Sequence, residues 1–344
     1  MKKIASSLLF LILIFLFQQM LFAGTLNRAM LITDSQKVKV TKQQQKAVKE
    51  KFYYYINVKN YEKLIPIAKN ILNFKLSKKE KYNVYFNLAK AYLNINKLQD
   101  AVSWGLEAEY LYPKKIEIKL LLGTIYKNNR LYELAIEKYK SCLDLSKDNI
   151  EALINLGHIY YFLENYKISL SYFQKAESLL RGKKKHLSVD DYICMAISAK
   201  EIGSINQAQD ILENIEIKNK RASLLLSQIY LSKQELEKAQ DELIPYVYKE
   251  DTDIEVYCNL AKLYILSKKF NHAKDLLLYF ESKNNNKSFE AIDVLLVETL
   301  YNIYGNKQKA LNKLKHISNY TDSKYIQTIL QKIIAFEEST KRNI

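Results

Sequence analysis

The chain has 344 residues, of which 48% are hydrophobic and 26% are charged, a composition typical of a folded protein. It contains only 7 glycines and 3 prolines. Folds built from many short strands need more turn residues than this, so the composition predicts helices joined by short loops. The formal net charge is +16, but most lysines are scattered along the chain, as on a solvated surface, and only residues 181–186 form a compact basic run.

The first segment of the chain predicts export. Met1-Lys2-Lys3 precedes an apolar stretch, and no residue from Ile4 to Asn27 is charged. A basic start, an apolar core and a small residue at Ala23 are typical of a secretory signal peptide cleaved after that residue. An apolar run of about 20 residues is also long enough to span a bilayer, so an uncleaved anchor in the inner membrane stays open. Both alternatives predict an exported chain, periplasmic or associated with the cell envelope.

One sequence motif recurs along the chain at a nearly constant interval. Leu122-Gly123 followed by Tyr126 returns 34 residues later as Leu156-Gly157 followed by Tyr160. One residue near the start of the second half of the motif recurs every 31 to 39 residues, a period that indicates stacked units of two helices. These positions are Leu64, Ala101, Ala135, Ser169, Ala208, Ala239, Ala273 and Ala310.

The motif resembles the tetratricopeptide repeat (TPR). The pattern of that repeat is, in order, a large residue, Leu-Gly or Leu-Ala, Tyr, Ala, an aromatic residue, Ala and Pro. Unit 116–149 supplies Leu122-Gly123, Tyr126, Ala135 and Tyr139. Units 82–115, 150–183 and 254–287 match equally well, and the units near 45–78, 189–219, 220–253 and 291–321 are degenerate. The resemblance implies an all-α fold, a right-handed α-solenoid of about eight TPR-like helix pairs.

Four segments follow from this reading. Residues 1–23 are the signal peptide or anchor, and residues 24–44, which are polar and lack periodicity, are a flexible lead-in. Residues 45–321 are the solenoid. Residues 322–344 are a capping helix and tail, because the ends of a repeat stack need a closing element.

No pattern in the chain predicts catalysis. Cys142, Cys194 and Cys258 are an odd number of widely spaced thiols, which is neither a disulfide framework nor a metal site, and the four histidines stand outside any catalytic motif. The pair Asp190-Asp191 is interpreted as a helix start. We therefore predict no enzyme activity, no metal and no cofactor.

In the TPR family the first helix of each unit lines a concave groove that binds an extended or helical peptide. The resemblance therefore implies a groove of aromatic, amide and cationic side chains. Its candidate residues are Tyr53, Asn57, Phe86, Lys90, Leu93, Asn94, Thr124, Lys127, Asn128, His158, Tyr161 and Phe162. The alternative for Leu93, Tyr161 and Phe162 is packing between neighbouring units.

Some TPR proteins hold a terminal carboxylate with a clamp of Lys and Asn residues. Lys49 and Asn87 match two members of that clamp, but Tyr53 and Glu117 stand where Asn and Lys are needed. The clamp is therefore not predicted.

The sequence thus predicts an exported, non-enzymatic scaffold or adaptor that binds a protein or peptide in envelope assembly or secretion. One alternative is a membrane-anchored, chaperone-like periplasmic protein. Another is a basic surface, centred on Lys183–Lys185, that binds anionic lipid or cell-wall polymer. No nucleic-acid partner is predicted, and the oligomeric state stays open.

Overall fold

The computed structural model describes residues 41–247, 253–284 and 289–305, and every regular element in these ranges is an α-helix. They divide into two compact units, the first ending at His186 and the second beginning at Leu187. The predicted signal or anchor, most of the lead-in, the position Ala310 and the capping segment 322–344 lie outside the described residues.

The first unit consists of four antiparallel helix pairs. In each pair the two helices pack against each other, and the second helix packs against the first helix of the next pair. The pairs are α1 (Lys42–Asn57) with α2 (Tyr61–Ile71), α3 (Lys78–Asn94) with α4 (Leu98–Leu111), α5 (Ile116–Asn128) with α6 (Tyr132–Leu145), and α7 (Ile150–Phe162) with α8 (Tyr166–Arg181).

The second unit repeats this arrangement. Its pairs are α9 (Val189–Glu201) with α10 (Ile205–Glu213), α11 (Lys220–Ser232) with α12 (Leu236–Val247), and α13 (Ile254–Leu266) with α14 (Phe270–Lys283). Helix α15 (Glu290–Tyr304) packs on α13 and α14. The core of this unit includes the fully buried side chains of Leu212, Leu226, Leu243, Tyr257 and Phe280.

The recurring residue of the motif occupies an equivalent buried position in each described pair, and it is Ala or Ser in all of them except the first. In all seven described pairs it is the fourth residue of the second helix, and its side chain is at most 1% exposed, from Leu64 in α2 to Ala273 in α14. A small side chain at this crossing lets two helix backbones approach, and the larger residues fill the volume around it. The period of the sequence is therefore the period of this contact.

First helices and second helices begin differently. Side chains cap most of the first helices: Thr41, Ser77, Asn149, Ser188, Asn219 and Asp253 each accept a hydrogen bond from a backbone N–H of the first turn. Thr41 forms a capping box with Gln44, so α1 begins three residues inside the segment predicted as lead-in. Asp191 closes the capping box of Ser188 at the start of α9, which confirms that the acidic pair marks a helix start.

Second helices instead follow one tight turn. Three residues separate the helices of every described pair, and the middle one has a positive φ, between 54° and 82°. The residue after it donates its N–H to a carbonyl of the preceding helix, as Asn165 does to Tyr160 at 2.8 Å. Glycine adopts this left-handed conformation without penalty, yet only Gly203 is a glycine among these seven middle residues.

We expect Glu164→Gly to raise the free energy of unfolding by about 0.5–1 kcal/mol, because it relieves a left-handed, non-glycine residue at φ 58°. Glu133→Gly is the matched control: it removes the same side chain from the first turn of α6 and should destabilise by up to about 1 kcal/mol. Urea unfolding of the variants measures both changes. A loss of stability in Glu164→Gly as large as that in the control would contradict the argument.

Candidate functional site

The first helices of the first unit lie side by side. Helix α3 contacts α5, and α5 contacts α7, in addition to the second helices between them. All twelve candidate groove residues lie on α1, α3, α5 and α7. Counted from the first candidate residue of each helix, the others follow three, four, seven or eight residues later, which places them on one side of that helix. We call the surface formed by these twelve residues the first-helix face.

The first-helix face is unevenly exposed. Tyr53 is 52% and Phe162 is 60% exposed, and the polar side chains of Asn57, Lys90, Asn94 and Asn128 are exposed as well. The other six candidate residues are half-buried. An exposed aromatic ring among amides and an amine can contact a partner through apolar area and hydrogen bonds together.

Two of the half-buried candidates have hydrogen-bond partners inside the fold. The Lys127 ammonium donates to Asn155 Oδ1 at 2.6 Å, which links α5 to α7. Asn155 Nδ2 donates to the carbonyl of Glu151, so its oxygen is turned toward Lys127. Thr124 donates to the carbonyl of Leu120 and lies 3.0 Å from the Tyr139 hydroxyl. These contacts position the first helices, and the sequence analysis did not identify Asn155 as part of the face.

An aromatic patch lies at the end of α7. The Phe162 ring stacks on Tyr132 at 6.5 Å, and Tyr161 meets Tyr166 at 6.0 Å. Tyr132 and Tyr166 are the first residues of α6 and α8, so second helices extend the face at this end. Leu163, in the turn, is 41% exposed beside them. The patch therefore combines side chains from three helices and a turn.

A second aromatic group of the face is centred on Phe86, on α3. Phe86 stacks on Tyr82 at 5.8 Å, and the Lys115 ammonium lies 4.3 Å from the centre of the Tyr82 ring. Burial raises the pKa of the Tyr82 phenol to about 12, so this ring is neutral at physiological pH. The stacking contact with Tyr82 therefore restricts the orientation of the Phe86 ring.

Lys49, one of the two residues that matched the carboxylate clamp, is paired within the fold. Its ammonium lies 2.6 Å from Glu80 Oε1 and links α1 to α3. The hydrogen bond from Lys49, followed by those from Ser77, lowers the pKa of Glu80 to about 2. Glu80 is thus an anion that is already paired with Lys49.

Reactive side chains in the described ranges are engaged in packing. The three cysteines are free, and burial raises the pKa of Cys142 and of Cys194 to about 11. A thiol with such a pKa is protonated and inert at neutral pH.

No group of three or more His, Cys, Asp or Glu side chains that could hold a metal ion occurs among the described residues. None of the helices in the described ranges combines the length and the apolar character needed to cross a membrane.

The comparison with protein families identifies the repeating unit. The tetratricopeptide repeat model matches residues 116–149 and 150–179, which are the pairs α5–α6 and α7–α8. Residues 116–179 therefore have the pattern of two successive tetratricopeptide repeats. The two matched units carry six of the twelve residues of the first-helix face, from Thr124 to Phe162.

The comparison with solved structures found similar chains. A tetratricopeptide repeat protein from Parabacteroides merdae is 20% identical, with a TM-score of 0.52 over 75% of this chain and 99% of that chain. PilF from Pseudomonas aeruginosa is 14% identical, with a TM-score of 0.48 over 70% of this chain and 99% of that one. YrrB, described as a TPR protein with an unusual peptide-binding site, is 14% identical, with a TM-score of 0.44 over 61% of this chain and 97% of that chain. A comparison with curated proteins found no match.

These findings confirm the predicted fold class, an all-α stack of TPR-like helix pairs. They support a scaffold that binds other proteins, which is the role typical of TPR folds. The twelve candidate residues remain predictions as ligand contacts.

Proposed function

We propose that this protein is a non-enzymatic TPR scaffold that binds a protein or peptide partner across the first-helix face of its first unit. The observation that carries the proposal is the arrangement of α3, α5 and α7. These helices lie side by side, and the face joins the exposed Phe162 to the exposed Lys90 and Asn94. Phe162 supplies an apolar anchor, and the amide and amine groups provide hydrogen bonds to an adjacent peptide.

The packing beneath the face supports binding by a preformed surface. The Lys127–Asn155 bond fixes α5 against α7, and the Lys49–Glu80 bond fixes α1 against α3. A partner therefore meets side chains whose backbone positions are already set. Preorganisation of this kind reduces the entropy lost on binding.

The place of action belongs to the same proposal. The basic start and the uncharged stretch from Ile4 to Asn27 support export of the chain into a bacterial envelope. There it would assemble or stabilise envelope or secretion components, either released after cleavage or held by the uncleaved segment. The second arrangement makes it a membrane-anchored, chaperone-like TPR protein.

Site-specific photo-crosslinking in cells tests the first-helix face. A benzoyl-phenylalanine residue placed at Lys90 or at Phe162 should capture the same discrete protein. The matched controls are Lys140 on α6 and Gln174 on α8, which are exposed positions on second helices. Lys138 is unsuitable as a control because its ammonium is paired with Glu109 at 2.7 Å. Equal capture from the second-helix sites, or none from either first-helix site, would overturn the proposal.

A further inference from the structure

The connections between successive pairs collect at one edge of the first unit. Each helix runs antiparallel to the one before it, so the segments that lead from a second helix to the next first helix all emerge on the same side. Lysines of α3 and α8 contact residues of the neighbouring connections there. The Lys78 ammonium lies 5.0 Å from the Tyr112 ring centre, and Lys175 Nζ donates to the carbonyl of Lys147 at 3.0 Å.

We call this surface the loop edge. It consists of residues 72–77, 112–115, 146–149 and 182–186, together with Thr41 and Lys42 at the start of α1. Its charged residues are eight lysines and one acid: Lys42, Lys75, Lys114, Lys115, Lys147, Lys183, Lys184, Lys185 and Asp148. All eight lysines except Lys115 are exposed. Lysines that lie far apart in the sequence are thus brought into one basic row.

The helical turns that flank the loop edge do not cancel this row. They add six cations, Lys69, Lys78, Lys79, Lys81, Lys119 and Arg181, and five acids, Glu80, Glu109, Glu117, Asp144 and Glu151. Glu80 is already neutralised by Lys49. The excess positive charge therefore comes from the connections themselves.

The opposite edge of the same unit carries less positive charge. It is formed by the three-residue turns 58–60, 95–97, 129–131 and 163–165, which we call the turn edge. These turns carry three cations, Lys59, Lys97 and Arg130, and one acid, Glu164. The eight lysines and one acid of the loop edge make it the more positive of the two edges, and charges gathered in this way attract anionic surfaces.

Two further features of the loop edge favour a membrane over a soluble polyanion. Tyr110, at the end of α4, is 84% exposed, and Leu145, at the end of α6, is 43% exposed among the lysines. Tyrosine and lysine are the side chains that suit the lipid headgroup region. The cations of the connections are all lysines, whereas bidentate recognition of nucleic acid relies more on the planar guanidinium of arginine.

The direction of the chain gives a third argument. Helix α1 begins at the loop edge, so the residues that precede Thr41 join the first unit there. In the sequence those residues include the uncharged, apolar stretch Ile4–Asn27, which ends 14 residues before Thr41. An apolar stretch so close in sequence to the loop edge favours a lipid surface as the partner of that edge.

From these observations we propose that the loop edge docks on an anionic lipid bilayer. The lysines lie against the acidic headgroups, and Tyr110 and Leu145 enter the headgroup layer. The first-helix face is formed by other residues of α1, α3, α5 and α7 and stays available to a protein partner. The two surfaces are separable, so failure of one proposal leaves the other standing.

Vesicle sedimentation with the full chain tests the proposal. The loop-edge variant carries Lys75→Gln, Lys114→Gln, Lys147→Gln and Lys183→Gln, one change in each connection. The matched control carries Lys59→Gln, Lys63→Gln, Lys97→Gln and Arg130→Gln, which remove the same charge on or beside the turn edge. All eight side chains are exposed, so circular dichroism should give the same melting curve for both variants.

Vesicles of phosphatidylcholine with about 30 mol % phosphatidylglycerol should bind the loop-edge variant at least about tenfold more weakly than the natural chain or the control. The difference should shrink as salt rises from about 0.05 to 0.15 M and should vanish on pure phosphatidylcholine, which has no net charge. Equal weakening in both variants, or no response to phosphatidylglycerol, overturns the proposal. Loop-edge-dependent binding of soluble polyphosphate or DNA without such binding to vesicles also overturns it.

Discussion

Tyr139→Ala should lower the free energy of unfolding by about 3–5 kcal/mol, the largest effect expected from a single change in the first unit. Tyr139 lies on α6 with no exposed surface, and its ring fills the space beside Gly123 of α5. The single hydroxyl hydrogen of Thr124 goes to the carbonyl of Leu120, so the Tyr139 hydroxyl donates to Thr124 at 3.0 Å. Alanine loses the ring contacts and leaves a cavity at the centre of the α5–α6 pair.

Tyr139→Phe separates the ring from the hydroxyl. It should cost only about 1 kcal/mol, because it removes one hydrogen bond and keeps the packing. The neighbouring pair supports this expectation, since Phe173 occupies the equivalent place beside Gly157. Urea unfolding gives the two free energies, and hydrogen exchange of residues 116–145 locates the loss. Equal costs for the two variants would show that the hydroxyl, not the ring, holds the pair together.

The sequence predicts the fold well where one residue type has one physical role. The recurring residue of the repeat gives the register of all seven described pairs, because it is buried at the helix crossing in each of them. It is Ala or Ser in six pairs, and only the first pair has the larger Leu64. Degenerate units keep this position even when the rest of the pattern is lost, as with Ala208 in the nine-residue α10. The period therefore survives in units whose other residues no longer match.

Other packing solutions depend on neighbours that a linear pattern does not include. Gly105 stands where the repeat usually has an aromatic residue, and the sequence alone gives no reason for it. In the structure a Cβ at Gly105 would lie 2.6 Å from Leu122 Cδ2, so a side chain from the next pair fills the space. The partner of a residue in the adjacent unit is not encoded in the local spacing.

The candidate site shows the same division. Helical spacing places the twelve residues on first helices, but it does not distinguish Phe162, which is exposed, from Thr124, which bonds to Tyr139. Lys138 has the spacing of an exposed lysine, yet with Lys119 it flanks Glu109 in a pocket where each side chain is at most 16% exposed. The basic loop edge is likewise invisible in sequence, because antiparallel packing brings its lysines together.

Gly157→Leu should lower the free energy of unfolding by roughly 1–3 kcal/mol through overpacking. A Cβ at Gly157 would lie 2.9 Å from two atoms of the Phe173 ring, closer than real Cβ atoms come to a neighbour. The ring cannot move away, since Phe173 is fully buried. The Gly157 carbonyl also accepts the Ser169 hydroxyl at 2.9 Å, which holds α7 against α8. The added side chain therefore forces the two helices apart at their closest point.

Gly182→Leu is the matched control for this change. A Cβ at Gly182 would have only ordinary contacts, the nearest at 3.7 Å, and its φ of −60° suits any residue. Its cost should stay within about 0.5 kcal/mol, as for most surface substitutions. Gly157 lies on α7 between Leu156 and His158, and His158 and Phe162 of the same helix belong to the first-helix face. Separation of α7 from α8 should therefore also weaken crosslinking from Phe162. An unchanged unfolding midpoint for Gly157→Leu would show that the α7–α8 pair can widen without loss, and would remove close packing as the reason for glycine at this position.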